Sequence, residues 1–304
     1  MRTTDGGQTW EEWDKVVEGV YLTSVYTRRF ANADYVWIGG WNGVIIRITG
    51  ELANQYHGYH TNDWEGQPNI TGMHFFVSTE FGRDFDSGII TRFGSSRYGM
   101  LRKYCCLGWS SVNQYGSYFN EINFPYALED VHFSFDLSLP YPYNDSNGWV
   151  VGFTTERRTA SDWDYIGIVG RTTDRGLSWE LIKSNVNARF LAVHSMNEHK
   201  AWIAGRSGGS SSSGGVIYRT TDGGENWELQ LSVSRPITDI HFTDLFNGWA
   251  ITSGGTIYRT RDGGENWYIE ASSLGSLNAI DFTDRNHGWV VGARGRIYRY
   301  YPVE

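Results

Sequence analysis

Four of the eight histidines in this 304-residue chain, His74, His132, His194 and His241, stand at one position of a recurring segment, where two further copies carry Tyr26 and Asp281. Histidines in register are candidate metal ligands or proton carriers. Four aspartates, Asp5, Asp174, Asp222 and Asp262, recur beside glycines and offer hard oxygen donors. Six arginines, Arg47, Arg102, Arg171, Arg219, Arg259 and Arg299, recur in register as forks that bind carboxylates. Each set has a structural counter-reading. Side chains at one repeat position are expected to stay far apart on a wide ring, so each histidine is read as packed and bonded to the neighbouring unit. Each aspartate turn supplies one carboxylate, whereas calcium takes about six to eight oxygens. The arginines precede turns and are read as pairing with acidic turn residues of the next unit. No metal or cofactor is expected.

The elements that carry these residues follow from a turn repeated four times. Thr-x-Asp-x-Gly-x-x-Trp occurs at Thr3 to Trp10, Thr172 to Trp179, Thr220 to Trp227 and Thr260 to Trp267. In such a turn the aspartate accepts backbone N–H groups and glycine takes positive φ. The tryptophan ring, Trp10, Trp179, Trp227 or Trp267, is expected to fill the space between units, so that Trp227→Ala leaves a core cavity costing about 3–5 kcal/mol.

Around the best copies the unit reads as four short strands, rich in β-branched and aromatic residues. First-strand copies fall at Leu22 to Tyr26, Ile70 to Phe75, Leu128 to Phe133, Phe190 to His194, Ile237 to Phe242 and Leu277 to Phe282. A second-strand tryptophan recurs at Trp37, Trp149, Trp202, Trp249 and Trp289. Repetition at this period makes a single all-β domain: a six-bladed β-propeller, with seven blades as the alternative. Blades are expected near 15–68, 69–127, 128–186, 187–233, 234–273 and 274–304, the last completed by residues 1–14. The N-terminal strand thereby closes the ring.

A formal charge of −8 and a pI near 5.5 argue against a nucleic-acid footprint. No run of apolar residues is long enough for a transmembrane helix, and the first residues lack the form of a signal peptide. Adjacent Cys105 and Cys106 are read as two thiols.

Function on a near-symmetric scaffold lies where symmetry breaks. The face opposite the aspartate turns collects Trp41, the segment 53–68 with His57, Tyr59, His60 and Trp64, the segment 154–165 with Arg157, Arg158, Asp162, Trp163 and Asp164, and a Ser/Gly run over 206–215. Exposed aromatics with mixed charge suit a protein ligand or a carbohydrate. On the other face, 78–87 and 134–147 read as long loops, and Asp84 to Gly88 faintly resembles a calcium loop.

The repeated turn resembles the Asp-box, or BNR repeat. Together with Ile280-Asp281-Phe282-Thr283-Asp284, Gly288-Trp289-Val290-Val291-Gly292 and Gly295-Arg296-Ile297-Tyr298-Arg299, it resembles the photosystem II assembly and stability factor-like propellers. That resemblance implies a non-catalytic propeller holding a protein partner, extracytoplasmic in location (periplasmic, cell-surface or secreted). Asp-boxes also mark sialidases, the alternative, whose site needs three arginines with a Tyr nucleophile. A sortilin-like peptide-binding module is a second alternative.

Overall fold

The computed structural model describes residues 126–134, 146–159, 163–174, 176, 178–182, 186–209, 214–282, 284–293 and 296–300 with their side chains, and elsewhere only the backbone of strands. It is all-β. The first sheet contains β1 (Leu22–Phe30), β2 (Ala33–Gly40), β3 (Ile45–Thr49) and β4 (Tyr56–Tyr59). The second contains β5 (Asn69–Ser78), β6 (Phe85–Phe93), β7 (Gly99–Tyr104) and β8 (Asn120–Phe124). The third has β9 (Ala127–Phe133), β10 (Gly148–Arg157), β11 (Trp163–Thr172) and β12 (Glu180–Lys183). The fourth has β13 (Ala188–Ser195), β14 (Ala201–Ser207), β15 (Gly215–Thr220) and β16 (Glu228–Val233). The fifth has β17 (Ile237–Phe242), β18 (Gly248–Thr252), β19 (Ile257–Thr260) and β20 (Tyr268–Ala271), and the sixth has β21 (Leu277–Asp284), β22 (His287–Gly292) and β23 (Arg296–Arg299).

Every sheet is an antiparallel meander, and consecutive first strands pack on one another from β1 through β21, forming an inner wall. Closure by residues 1–14 lies outside the described residues, as do Cys105 and Cys106. The inner wall carries a feature that composition does not reveal. Each of the six first strands has a β-bulge at the same place, at Thr23, Thr71, Glu129, Leu191, Thr238 and Asn278. A bulge adds one residue and local twist. Its sixfold recurrence shows that the first two sheets follow the same plan as the well-matched later ones.

Two expectations are corrected in the second sheet. The second-strand tryptophan and third-strand arginine face each other as Trp37↔Arg47, Trp149↔Arg171, Trp202↔Arg219, Trp249↔Arg259 and Trp289↔Arg299. In the second sheet the residue opposite His74 is Ile89, and it faces Lys103, with Arg102 one place away. The arginine recurs in register five times, and lysine stands in once. Of the segment read as a loop over 78–87, Ser78 ends β5 and Phe85 to Ser87 open β6, while 79–84 lie outside the described residues; with Phe85 to Gly88 in a strand, the calcium-like reading of 84–88 fails. Strand side chains alternate between the two faces and cannot wrap one ion as a loop does.

The core is a series of layers between sheets. Trp149, Val151 and Val169 of the third sheet pack with Phe190, Val193 and Ile203 of the fourth. Trp202, Ala204 and Ile217 pack with Ile240 and Phe242 of the fifth. Trp202 stacks on Phe242 at 3.7 Å and Trp249 on Phe282 at 3.8 Å. The second-strand tryptophans Trp149, Trp202 and Trp249 are wholly buried. The Asp-box tryptophans Trp179, Trp227 and Trp267 are only half-buried and cover the layer edges: Trp227 lies edge-on against Trp149 at 5.9 Å. The full cavity cost therefore belongs to the buried set. Trp202→Ala should destabilise by about 3–5 kcal/mol, and Trp227→Ala by clearly less, in chemical denaturation. Equal losses would show that burial does not rank these rings.

Candidate functional site

The Asp-box turns are built by three side chains. In the fourth sheet Thr220 Oγ1 donates to Asp222 Oδ1 at 2.8 Å and accepts from Gly224 N at 2.9 Å. Asp222 Oδ1 also accepts from Asn226 N at 3.0 Å, and its Oδ2 accepts from Asn226 Nδ2 at 2.8 Å. The set recurs as Thr260, Asp262, Gly264 and Asn266, and as Thr172, Asp174, Gly176 and Ser178. Asn226's backbone and side-chain donors, with Thr220's hydroxyl, hold the Asp222 carboxyl down at about 2. Thus Asp174, Asp222 and Asp262 are consumed by their own turns. The first Thr and the residue before Trp were the unread part of the motif. Glycine is required at Gly264, where φ is +96° and a Cβ would lie 3.0 Å from Trp202 Nε1. Asp5 and Trp10 lie outside the described residues.

The repeated arginines tie sheets together less simply than acidic pairing implies. Arg219 Nη2 bonds Glu228 of its own sheet at 3.2 Å, while Nη1 donates to Gly263 O in the next sheet's box at 3.2 Å. Glu265 of that box lies 3.7 Å from the same Nη1. Arg171 repeats the plan with Glu180 and Gly223 O, both at 2.9 Å. A box carbonyl, more than a carboxylate, is the partner across the seam.

The histidine expectation is half right. His132 Nδ1 lies 3.0 Å from Ser195 Oγ and accepts Ser195 N at 3.2 Å, so it does bond the neighbouring sheet. The rings are not far apart: His132 and His194 are 4.2 Å centroid to centroid, and His194 and His241 are 4.9 Å. First strands sit closest where the sheets converge, which brings one repeat position into contact. His241 Nδ1 continues the column to Asp281 at 3.3 Å. Burial drives His132 down to about 3, and burial with the charges of its neighbours His132 and His241 drives His194 well below its usual value. The column is therefore neutral imidazole. Among the described residues no cluster of metal-ligating side chains is found.

Two residues earlier, Asp130 and Asp239 clasp the next first strand. Asp130 accepts Val131 N at 2.8 Å and Val193 N at 3.0 Å; Asp239 accepts Ile240 N at 2.8 Å and Ile280 N at 2.9 Å. Burial pushes Asp130 up to about 8, helped by the Asp239 charge, and pushes Asp239 up to about 7.

The face opposite the boxes holds the other predicted residues. Arg157 and Trp163 face each other across the β10–β11 hairpin, with the guanidinium 5.8 Å from the indole ring. Arg158 Nη1 lies 3.5 Å from Asp164 Oδ1, its side chain 60% exposed. Gly209 of the next sheet sits so close that a Cβ would come within 2.7 Å of Trp163 O, so the Ser/Gly segment leans on this hairpin. Deeper in, Arg189 Nε bonds Glu129 Oε1 at 3.0 Å and its guanidinium stacks on Phe153 at 4.5 Å. Neither Glu129 nor Arg189 was singled out, because their meeting depends on the bulge and on the seam between sheets. The backbone of His57 and Tyr59 lies in β4. Trp41, His60, Trp64 and Asp162 lie outside the described residues.

A Tyr–Glu pair with an arginine does occur. Tyr300 Oη lies 3.1 Å from Glu270 and takes Arg259 Nη1 at 2.6 Å. It sits at the box end of the fifth and sixth sheets, and Tyr300 is raised by burial. That is the reverse of an activated nucleophile.

Meandering four-stranded sheets joined through aspartate turns define an Asp-box repeat β-propeller. Within that class the chain resembles the photosystem II assembly-factor propellers. Residues 127–273 match the photosynthesis system II assembly factor YCF48 family, and residues 1–12 match the BNR/Asp-box repeat. Among solved structures, YCF48 from Cyanidioschyzon merolae aligns at 17% identity over 88% of this chain and 77% of that one, with a TM-score of 0.50. Sqt1 from Saccharomyces cerevisiae aligns at 10% identity over 93% and 73%, TM-score 0.55. The Dos1 propeller aligns at 10% over 91% and 67%, TM-score 0.54. These likenesses show the fold. No curated protein sequence matches the chain.

The clasp sets a pH dependence. A carboxyl raised in the fold keeps a proton that the unfolded chain has released, so stability falls as pH rises toward the folded value. Between about pH 7.5 and 8.5 the histidines are almost wholly uncharged in both states and scarcely alter this slope. The melting temperature should fall over that range, and Asp130→Asn with Asp239→Asn should flatten the fall. An unchanged slope in the double variant would show that other groups carry it.

Proposed function

We propose that this protein is a non-catalytic propeller that holds a protein partner on the face opposite its Asp-boxes, gripping an acidic segment of that partner. The observation that carries the reading is the distribution of charge between the two faces. Described loops and strand ends on that face carry Arg157, Arg158, Arg189, Arg206, Arg235 and Arg296, against Glu129, Glu156 and Asp164. The box face carries, in its described loops and strand ends, Asp174, Glu180, Glu198, Asp222, Glu225, Glu228, Asp244, Asp262, Glu265, Glu270 and Asp284, against Arg171, Lys200, Arg219, Arg259, Arg261, Arg285 and Arg299. Among the described residues, a chain of net charge −8 thus gathers its acids at the box end and leaves a surplus of cations at the other. Arginine forks grip carboxylates, and Trp163 beside them supplies an aromatic anchor.

Trp41, His57, Tyr59, His60, Trp64 and Asp162 belong to the proposed surface by their place in the sequence, and a glycan is a possible second ligand. The resemblance to an assembly-factor family supports the protein-binding role and an extracytoplasmic location. Among the described residues no helix is long and apolar enough to cross a membrane. The blade spans and the count of six are part of the same proposal.

A fluorescein-labelled peptide rich in Asp and Glu tests the face by anisotropy. Wild type should bind with affinity that weakens as salt rises, and Arg157→Ala, Arg158→Ala, Trp163→Ala together should weaken binding about tenfold or more. Glu225→Ala with Glu265→Ala, on the box face, should leave binding unchanged. Loss in the second variant instead of the first would move the partner to the other face.

A further inference from the structure

The third sheet departs from the repeat at its second strand. In five of the six sheets the second strand ends opposite the start of the first: Gly40 faces Leu22, Phe93 faces Asn69, Ser207 faces Ala188, Thr252 faces Ile237 and Gly292 faces Leu277. β10 runs on. Its pairing with β9 stops at Phe153↔Ala127, while its pairing with β11 continues through Thr154↔Ile166, Thr155↔Tyr165, Glu156↔Asp164 and Arg157↔Trp163. Four residues of β10 thus overhang the inner wall by about 13 Å, as one side of a two-stranded ribbon.

Backbone N–H and C=O groups alternate between the two sides of a strand, so some of those in Thr154, Thr155 and Glu156 point away from β11. No described strand pairs with these three residues on that side, which is the side β9 occupies lower in the sheet. Edges of this kind template pairing with another chain, and proteins commonly shorten them or close them with proline. This strand is ten residues long and has no proline. The other side of the ribbon is occupied: Gly167 N donates to Val186 O at 2.9 Å, and Gly209 sits against Trp163 O.

We infer that the inner edge of the ribbon at Thr154–Glu156 takes up an extended segment of the partner by strand addition, in which main-chain hydrogen bonds hold the peptide and alternate side chains select it. The inference rests on the reading that this face binds an acidic segment, and adds how that segment is held. Selection follows from the register. Phe153, Thr155 and Arg157 share one face of the ribbon with Tyr165 and Trp163 across it. Arg189 enters that face at its base, its guanidinium 4.5 Å from the Phe153 ring. A carboxylate on the added strand beside Arg157 makes a cross-strand ion pair. On the opposite face the exposed Glu156 repels acids at the intervening positions. The segment that fits is therefore extended, with Asp or Glu at alternate positions and neutral residues between.

A fluorescein-labelled peptide of alternating Glu and Thr tests this on the full chain. Added to 15N-labelled protein, it should slow hydrogen exchange at the outward amides among Thr154, Thr155 and Glu156 about tenfold or more, and leave the β18 amides unchanged. The same peptide methylated at every backbone nitrogen keeps its charge and should bind about tenfold more weakly by anisotropy. Equal binding of the two peptides, or unchanged exchange at all three amides at saturation, would overturn strand addition and leave the grip on an acidic segment standing. Absence of binding by the unmethylated peptide would overturn both. Slowing that grows with protein concentration in the absence of peptide would also overturn the assignment, because the edge would then pair with a second copy.

Discussion

Box carbonyls aimed across the seams do most to organise the described sheets: Gly223 O takes Arg171, and Gly263 O takes both Trp202 and Arg219. The turn that reverses the chain between the third and fourth strands leaves a glycine carbonyl, Gly263 O, pointing back at the preceding sheet, where a tryptophan indole and an arginine fork converge on it. The indole is wholly buried, so its N–H must find an acceptor inside the protein. The turn is rigid because Thr260, Asp262 and Asn266 satisfy one another and the local backbone. A loose turn would leave the carbonyl free to wander and the indole unmet. The Asp-box is therefore a device for aiming a backbone acceptor across a seam, and its aspartate carries no chemistry toward solvent.

A second line of contacts holds the inner ends of the sheets. The bulge in every first strand twists the inner wall, and from the same stretch Asp130 and Asp239 accept N–H groups of the next first strand. Two residues on, His132 does likewise with Ser195. Where the aspartate is replaced by Ala192, no clasp of this kind exists. The alternation of clasped and unclasped seams leaves the buried acids Asp130 and Asp239 two sheets apart, in the third and fifth. Burial is the chief cost of ionising both, with the Asp239 and Glu129 charges adding to it at Asp130 and the Asp281 charge at Asp239.

The sheet plan was legible because it repeats. Strand positions of the fifth sheet could be carried to the others, and the Trp–Arg register is regular enough to count. What resisted reading depends on how sheets meet. Spacing along the chain could not show that His132, His194 and His241 touch, because their closeness arises from convergence of the first strands. The register slip that puts Lys103 in an arginine's place needed the backbone. Trp227 was assigned to the core because its ring is large, whereas the turn holds it at the edge of a layer already filled by Trp149. The binding-face residues were legible as breaks in the repeat, but the Glu129–Arg189 pair was not, since each looks like an ordinary strand residue.

The two faces differ for a reason rooted in the same architecture. Acidic residues gather on the box face because the turns need aspartate as an internal acceptor and because fourth strands supply glutamates to the seam arginines. Those charges are committed to holding the fold. The opposite face has no such demand: its loops join strands without a shared motif, differ in length from sheet to sheet, and so are free to vary. Arginine gathers there without any structural requirement of the repeat, while Gly209 allows the neighbouring loop to lean on Trp163. A surface on which charge accumulates against the sign of the whole chain, on loops the scaffold leaves free, is where selection for a partner can act without disturbing the seams.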